Sequence, residues 1–459
     1  MNYHTLFLLA LLVSTLCTIV SLSAAPDSGK RQLAFPSAEG FGRFATGGRG
    51  GDVYHVTNLM NDGKGSLRYG IEKTKGPRTI VFDVSGTIRL KAGDKLQIKD
   101  VDGLTIAGQT APGDGICIRD EKFGIIDSSN IIIRYMRFRL GDESRTSTDT
   151  LGIDESNNVI LDHVTATWGV DGTMDTSEVS AFTLQWSLFG EALHESTHHK
   201  GDHAMLMSMR KTAGNVSLHH NLFFSSRNRH PTLGSLKKEV IFDFRNNVVY
   251  NRAGSTNLSG GHVNLINNYY RPGPSTKPDT YPIRPKAKKD NAVVGYMSGS
   301  IYEGNKARTK DNYTAMQWGA RDGESASSYP GKVLYEKFRL SREPVAVADR
   351  PHTHPADKAY ELILNKAGAS KRRDAADKRI IAGIRKRTHR LINSQQEVGG
   401  WPELRNKPVS LDTDQDGMPD KWEIKMKLNP KDPEDRNGDL DRDGYTNLED
   451  YLNALVEMK

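Results

Sequence analysis

Cysteine is nearly absent from this 459-residue sequence: Cys17 and Cys117 are the only two. If residues 1–25 are removed, as argued next, Cys117 stands alone and no intramolecular disulfide can staple the fold. Long apolar runs are also missing beyond the N-terminal stretch, which excludes a later membrane-spanning helix. The glycine-rich opening at 33–71 has no Lys-Ser/Thr at P-loop spacing, and that excludes a nucleotide phosphate cradle. Strong helix periodicity is scarce before residue 350, and abundant glycine and asparagine point to many turns rather than a helical bundle.

Residues 1–25 differ from the rest. A mostly apolar run ends in Ser23, Ala24 and Ala25, small residues suited to a signal peptidase. This predicts a secretory signal and a secreted protein, periplasmic or extracellular. The same stretch can also be read as an uncleaved anchor. The net charge of +7 is unevenly placed: residues 409–459 hold 14 acidic and 7 basic side chains, so the remainder is strongly basic. For an exported protein, a basic body predicts an acidic polysaccharide partner rather than nucleic acid.

In order along the chain, the run at 53–56 (VYHV) reads as a strand, and the run at 65–68 (GSLR) opens a short helix. Short β runs then recur at 79–83, 104–108, 131–134, 159–162, 182–185, 216–219, 240–243 and 263–266. Several are followed by Asn and a second apolar group, as at 220–224, 246–250 and 267–270. Alternation points one side chain of each pair inward, and a single coil cannot bury that face alone, so coils must stack. Asn tolerates the left-handed conformation of sharp bends, and stacked Asn side chains can bond along the axis. The expected fold is all-β, a right-handed parallel β-helix over 26–345. A further rung is expected near 299–305, after a basic run at 284–289. Residues 346–408 are expected to form a helical cover or linker, with helix over 357–393 presenting a basic, solvated face or capping one end of the stack.

The last segment, 409–459, reads as a small calcium-binding module. Asp412, Asp414, Asp416, Asp420 and Glu423 fall at ligand positions of an EF-hand loop, with Gly417 at its turn. Asp439, Asp441, Asp443, Asn447 and Asp450 repeat the pattern around Gly444. An acidic tail without metal is the plainer alternative.

A second set of carboxylates lies in mid-chain. Asp171 and Asp175 are four apart, and Asp149 precedes the run at 159–162, so it can sit one coil earlier. Carboxylates on adjoining coils repel one another unless they are protonated or bind a cation. Oxygen-only ligation favours Ca²⁺; three solvated loop carboxylates are the other reading. His194, His198, His199 and His203 crowd one stretch and could form a zinc site, but no carboxylate–histidine helix motif is read beside them, so they are taken as residues that line the groove or cap a turn. Arg137 and Arg139 share one strand face, either touching a ligand or forming a solvated stripe. Asp154, Asp162 and His163 are read as scaffold bonds, and Trp168 and Trp186 as core rather than sugar platforms.

These residues, in this order, resemble the first polysaccharide lyase family, the pectate lyases. The stretch Asp149, Asp154, Ser156, Asn158, Asp162 and His163 is similar to the family's strand motif. Asp171 and Asp175 match its later calcium pair, and Arg229-His230-Pro231 is similar to its Arg-x-Pro motif. The glycine-rich opening is also family-like. The resemblance covers about 33–310. It implies a parallel β-helix, Ca²⁺ held by Asp149, Asp171 and Asp175, and β-elimination of polygalacturonate with Arg229 as base and Lys200 binding substrate. A guanidinium ordinarily keeps its proton, and the residues alone equally allow Arg229 to clamp a carboxylate. Two departures stand out. Ser147 occupies the place of a second calcium aspartate, and Gly234 that of a second arginine, for which Arg227 or a more distant residue can stand in. Two other classes stay open: a polygalacturonase-like hydrolase, though its Asp-Asp and Gly-His-Gly runs are missing, and a non-catalytic pectin-binding β-helix.

Overall fold

The short β runs do form strands, and they stack in register. The computed structural model describes residues 31–285, 293–317 and 338–457; the signal segment expected at 1–25 and most of the basic run at 284–289 lie outside these. Among the described residues the strands fall into sheets of ten, nine and eight. The eight predicted runs correspond to Arg78–Phe82, Asp102–Ala107, Ser129–Arg134, Asn157–Asp162, Ser180–Gln185, Val216–His219, Ile241–Arg245 and His262–Ile266. All eight belong to the ten-stranded sheet, joined by Asp52–Val56 and Val294–Ser298. Each coil visits the three sheets in turn, as Ser129–Arg134, Arg137–Arg139 and Leu151–Asp154 do. Their pairings are parallel, and the fold is a parallel β-helix. The rung expected near 299–305 is the short strand Ile301–Tyr302.

The interior explains why coils must stack. Ile80, Ile106, Ile133, Leu161, Leu184, Leu218, Phe244 and Leu265 form one register row. Each side chain caps the one below and is buried. From Ser129–Arg134 onward, the bend after each strand of this sheet holds one residue in a left-handed conformation, for example His220, Asn246 and Asn267, at φ 56°, 51° and 50°. The next residue turns inward and forms an asparagine ladder. Asn221 donates to the side-chain oxygen of Asn247 at 3.1 Å, and Asn247 to that of Asn268 at 3.3 Å. The ladder satisfies buried amides where no strand partner exists. Outside the same bend Tyr135 stacks on His163 and Trp186 on His220. Trp186 thus lies in an external stack, whereas Trp168 is buried as expected.

The region over 357–393 is not one helix. It forms Ala356–Lys366 and Ala375–Lys386 with an irregular turn between them. Nor does it cap an end of the stack. Ala359, Ile363, Leu364, Ile380 and Ile384 cover the outer face of the nine-stranded sheet, against Leu188, Leu222, Phe224, Val248 and Tyr250. That sheet is therefore apolar on both faces. The same cover corrects the reading of Arg137 and Arg139, which form neither a solvated stripe nor a ligand contact. Each is 1% exposed. Arg139 donates to Asp374 at 2.6 Å and to Asp377 at 2.8 Å, and Arg137 lies 3.4 Å from both carboxylates. Asp374 is also the N-cap of the second helix, so one carboxylate both starts the helix and docks it. Its acidity is strengthened by the two arginines.

The C-terminal residues lie against the first coils. Met418, Leu448 and Leu452 pack on Ala107, Glu449 accepts from Arg49 at 2.9 Å, and Asn453 accepts from Arg134 at 3.1 Å. From Leu33 onward the chain forms one compact unit.

Candidate active site and metal centres

Among the described residues no helix covers the outer face of the eight-stranded sheet. Its register sets one outward row of Gly152, Asp175, Ser208, Thr232, Asn257 and Arg284, one residue per coil. A second row holds Asp154, Ser177 and Arg210. Depressions of about 440 Å³ and 290 Å³ lie over these rows. The first is lined by Asp154, Asp175 and Arg210, among others, and the second by Arg210, Asn228, Arg229, Asn257 and Arg284.

Asp149 is buried just before Leu151–Asp154, and Asp171 lies just before Gly172–Ser177. Asp149 lies over Gly172: a Cβ there would come within 2.8 Å of Asp149 Oδ1. Burial pushes the Asp149 carboxyl up to about 7, and Asp175 and Asp171 push the same way, while Lys122 and Arg229 oppose them. The three carboxylates are thus electrostatic neighbours, but each has its own nitrogen partner: a cation at Asp149 and Asp175, and at Asp171 an imidazole whose protonation burial disfavours. Lys122 Nζ is 3.7 Å from Asp149, His203 Nε2 is 2.7 Å from Asp171, and Arg210 is 3.0 Å from Asp175. Asp175 Oδ1 is buried and has no hydrogen-bond partner among the described residues. Three carboxylates offer the oxygen chemistry of a hard cation such as Ca²⁺, but among the described residues their oxygens do not converge within 4.8 Å of one another, and Asp171 gathers instead with His198 and His203.

Lys122 and Arg210 escaped the sequence reading. A sign of Lys122 was available in Gly152: a Cβ there would meet Lys122 Nζ at 2.5 Å, so the glycine is the hollow that receives the amine. Arg210 ends the strand beside Asp175, which the sequence did not reveal without the register.

Arg229 sits in the left-handed region at φ 62°, immediately before Thr232–Gly234. Its carbonyl accepts from Met207 N and that of Asn228 from Leu206 N, which fixes the loop to the sheet. Arg229 makes no ion pair among the described residues. Arg227 is exposed and donates to the Asp202 carbonyl, away from the row. Lys200 is exposed in a turn near His198 and His203.

His194, Glu195 and His198 have the spacing of a zinc-protease motif, but bends replace the helix that would align them. His198 Nδ1 accepts from Lys200 N at 3.1 Å, so its Nε2 carries the proton and has no lone pair for a metal. The histidines shape a turn, as expected. Asp162 is likewise a scaffold residue, bonded to His163, Gln185 and Arg134.

The C-terminal loops gather their carboxylates tightly. Asp412, Asp414 and Asp416 have oxygens within 4.8 Å of one another, as do Asp416, Glu423 and Asp435, and Asp439, Asp441 and Asp443. Glu423 is fully buried and Asp416 nearly so. Both Glu423 oxygens and Asp416 Oδ2 lack partners among the described residues. Burial and then neighbouring carboxylates push Glu423 up to about 8. Burial and the same neighbours hold Asp416 at about 7 even against a hydrogen bond from Met418 N. Buried, unpaired and mutually repelling oxygens are a donor set for a cation. Asp435, between the loops, was not read from the sequence because no loop position predicts it. Asp420 accepts from Thr413 N at 2.8 Å, and Asn447 accepts from Leu440 N at 3.1 Å. Both therefore brace their loops rather than join the clusters. Asp450 faces Asp443, Asp441 and Asp439, and its carboxyl is pushed up to about 7 by burial and by them.

No family model matches the chain. A protein of Aspergillus fumigatus named "Probable pectate lyase C" is 34% identical over 449 residues, covering 95% of this chain and 97% of its own. Its namesake in Aspergillus flavus is 33% identical over 434 residues, covering 92% and 94%. Among solved structures, the cedar-pollen allergen Jun a 1 superposes with a TM-score of 0.50 at 18% identity, covering 72% of this chain and 92% of that one; this likeness concerns the fold. With this identity along nearly the whole length, the chain belongs to the pectate lyase family.

Proposed function

We propose that this chain is an exported, calcium-dependent pectate lyase that cleaves α-1,4-polygalacturonate by β-elimination. The observation that carries the reading is the outward row: Asp175 and Thr232 are two coils apart on one face, and Arg229 enters that face three residues before Thr232. Acidic ligands for a cation and a basic side chain therefore share one groove. The pectate lyase names of the relatives support the same substrate.

Asp149, Asp171 and Asp175 would hold the ion, which when bound supplies Lewis-acid charge beside the uronate carboxylate and acidifies the carbon-5 proton. Arg229 takes that proton, the carbon-4 to oxygen bond breaks, a double bond forms between carbons 4 and 5, and the departing oxygen gains a proton from solvent. Arg210 and Lys122, released from Asp175 and Asp149, then face substrate carboxylates, with Lys200 near Asp171. In the C-terminal segment, Asp412, Asp414, Asp416, Glu423 and Asp435 form one structural calcium site, and Asp439, Asp441, Asp443 and Asp450 a second.

The test is the chemistry of the product. Polygalacturonate incubated with the mature protein should yield ultraviolet-absorbing unsaturated ends with Ca²⁺ and none with chelator. Saturated reducing ends would instead mean a hydrolase, and no new ends from a folded protein would mean a binding protein.

A further inference from the structure

The groove continues past Arg229. From Thr232 the outward row passes to Asn257 and then to Arg284, two coils further on. Coils are about 4.8 Å apart, so Arg284 lies roughly 20 Å along the stack from Asp175. Arg284 belongs to the strand Ile283–Pro285, in which Ile283 and Pro285 are buried and only the arginine is exposed. Pro282 and Pro285 flank it and restrict the backbone. The strand thus has the form of a stiff mount for one outward guanidinium.

Three arginines on these coils are neutralised by a carboxylate, Arg210 by Asp175, Arg245 by Asp243 and Arg271 by Glu303, while Arg227 and Arg252 are spent on backbone carbonyls. Arg284 and Arg229 have no such partner among the described residues, yet they line the same depression of about 290 Å³. Between them the floor is polar and fixed. Asn257 donates to Asn228 Oδ1 at 3.2 Å, and Asn228 Oδ1 also accepts from Arg229 N at 2.8 Å. Two unneutralised guanidiniums over a hydrogen-bonded polar floor are a receptor for a ligand with repeated carboxylates.

We propose that Arg284 is a substrate-binding residue that clamps the carboxylate of a uronate held two coils beyond Thr232, making the groove selective for long acidic chains. The inference rests on the pectate lyase reading and adds a remote subsite to it. Arg284 touches a sugar that does not react, so it contributes binding energy common to ground and transition states.

The experiment compares wild type, Arg284→Ala and Arg284→Lys on trigalacturonate and hexagalacturonate with Ca²⁺, with binding of the same oligomers measured by calorimetry in an Arg229→Ala background. Arg284→Ala should raise KM for the hexamer about tenfold while kcat stays within about threefold, and weaken hexamer binding by a similar factor. The trimer should lose less, and Arg284→Lys should recover part of the hexamer loss. Equal losses on both oligomers, a fall confined to kcat, or unchanged hexamer binding would overturn the proposal. If wild type forms no unsaturated product, the lyase reading fails. The calorimetric comparison then still decides whether Arg284 binds the acidic chain.

Discussion

The C-terminal carboxylate cluster makes a quantitative prediction. Glu423 and Asp416 are buried, both Glu423 oxygens and Asp416 Oδ2 lack partners among the described residues, and the two carboxyls are pushed to about 8 and about 7. At pH 7 without metal the first is mostly protonated and the second about half protonated, so together they carry roughly one to two protons. A cation needs both as carboxylates, so Ca²⁺ binding at this site should release about that many protons, with about half a proton more from each of Asp149 and Asp450, which are also pushed to about 7. The measurement is calorimetric titration of the full chain with Ca²⁺ in buffers of different ionisation enthalpy. The sign for stability follows from linkage. Both groups bind protons more tightly folded than unfolded, so in chelator stability should fall as pH rises from about 5 to 8. Saturating Ca²⁺ should remove that slope, and at a hundredfold excess over Kd it stabilises by about 2.7 kcal/mol. Glu423→Gln should abolish most of the proton release at this site. Saturable calcium binding with no proton release, or release unchanged in Glu423→Gln, would refute the reasoning.

Further outcomes concern the scaffold. Leu184→Ala opens a cavity in the interior row and should cost about 2–5 kcal/mol in denaturant unfolding. Asn247→Ala breaks the ladder on both sides and strands buried groups of its neighbours, for about 1–3 kcal/mol. Arg139→Met leaves Asp374 and Asp377 partly unpaired in the interior and should cost about 3–5 kcal/mol. Hydrogen exchange in that variant should rise first in Ala375–Lys386, because Asp374 both caps and docks this helix.

The sequence made the coil architecture legible because the signal repeats. Eight apolar runs share one sheet, and the Asn positions after them mark bends and a ladder. The carboxylates and Arg229 were legible as residues but not as geometry. Lys122 and Arg210 join them only through a register that fixes which outward positions are neighbours, and a single side chain facing out carries no periodic signal. Arg137 and Arg139 misled for a related reason. Their strand alternates as an exposed face would, and only the packing of residues more than two hundred positions later converts that face into a buried ionic contact. Asp435 is likewise set by how two loops meet rather than by spacing within either.

The claim that Arg229 takes the carbon-5 proton in the groove beside the metal carboxylates is tested most directly by the kinetics of Arg229→Ala on polygalacturonate with saturating Ca²⁺. The unsaturated product is followed by absorbance, and substrate and calcium binding are measured on the same protein. The account predicts a loss of about 10²–10⁴ in kcat, the range for removing a general base, with calcium binding retained. A variant that keeps a tenth or more of the wild-type kcat and loses only affinity for the chain would contradict it, and would make Arg229 a carboxylate clamp.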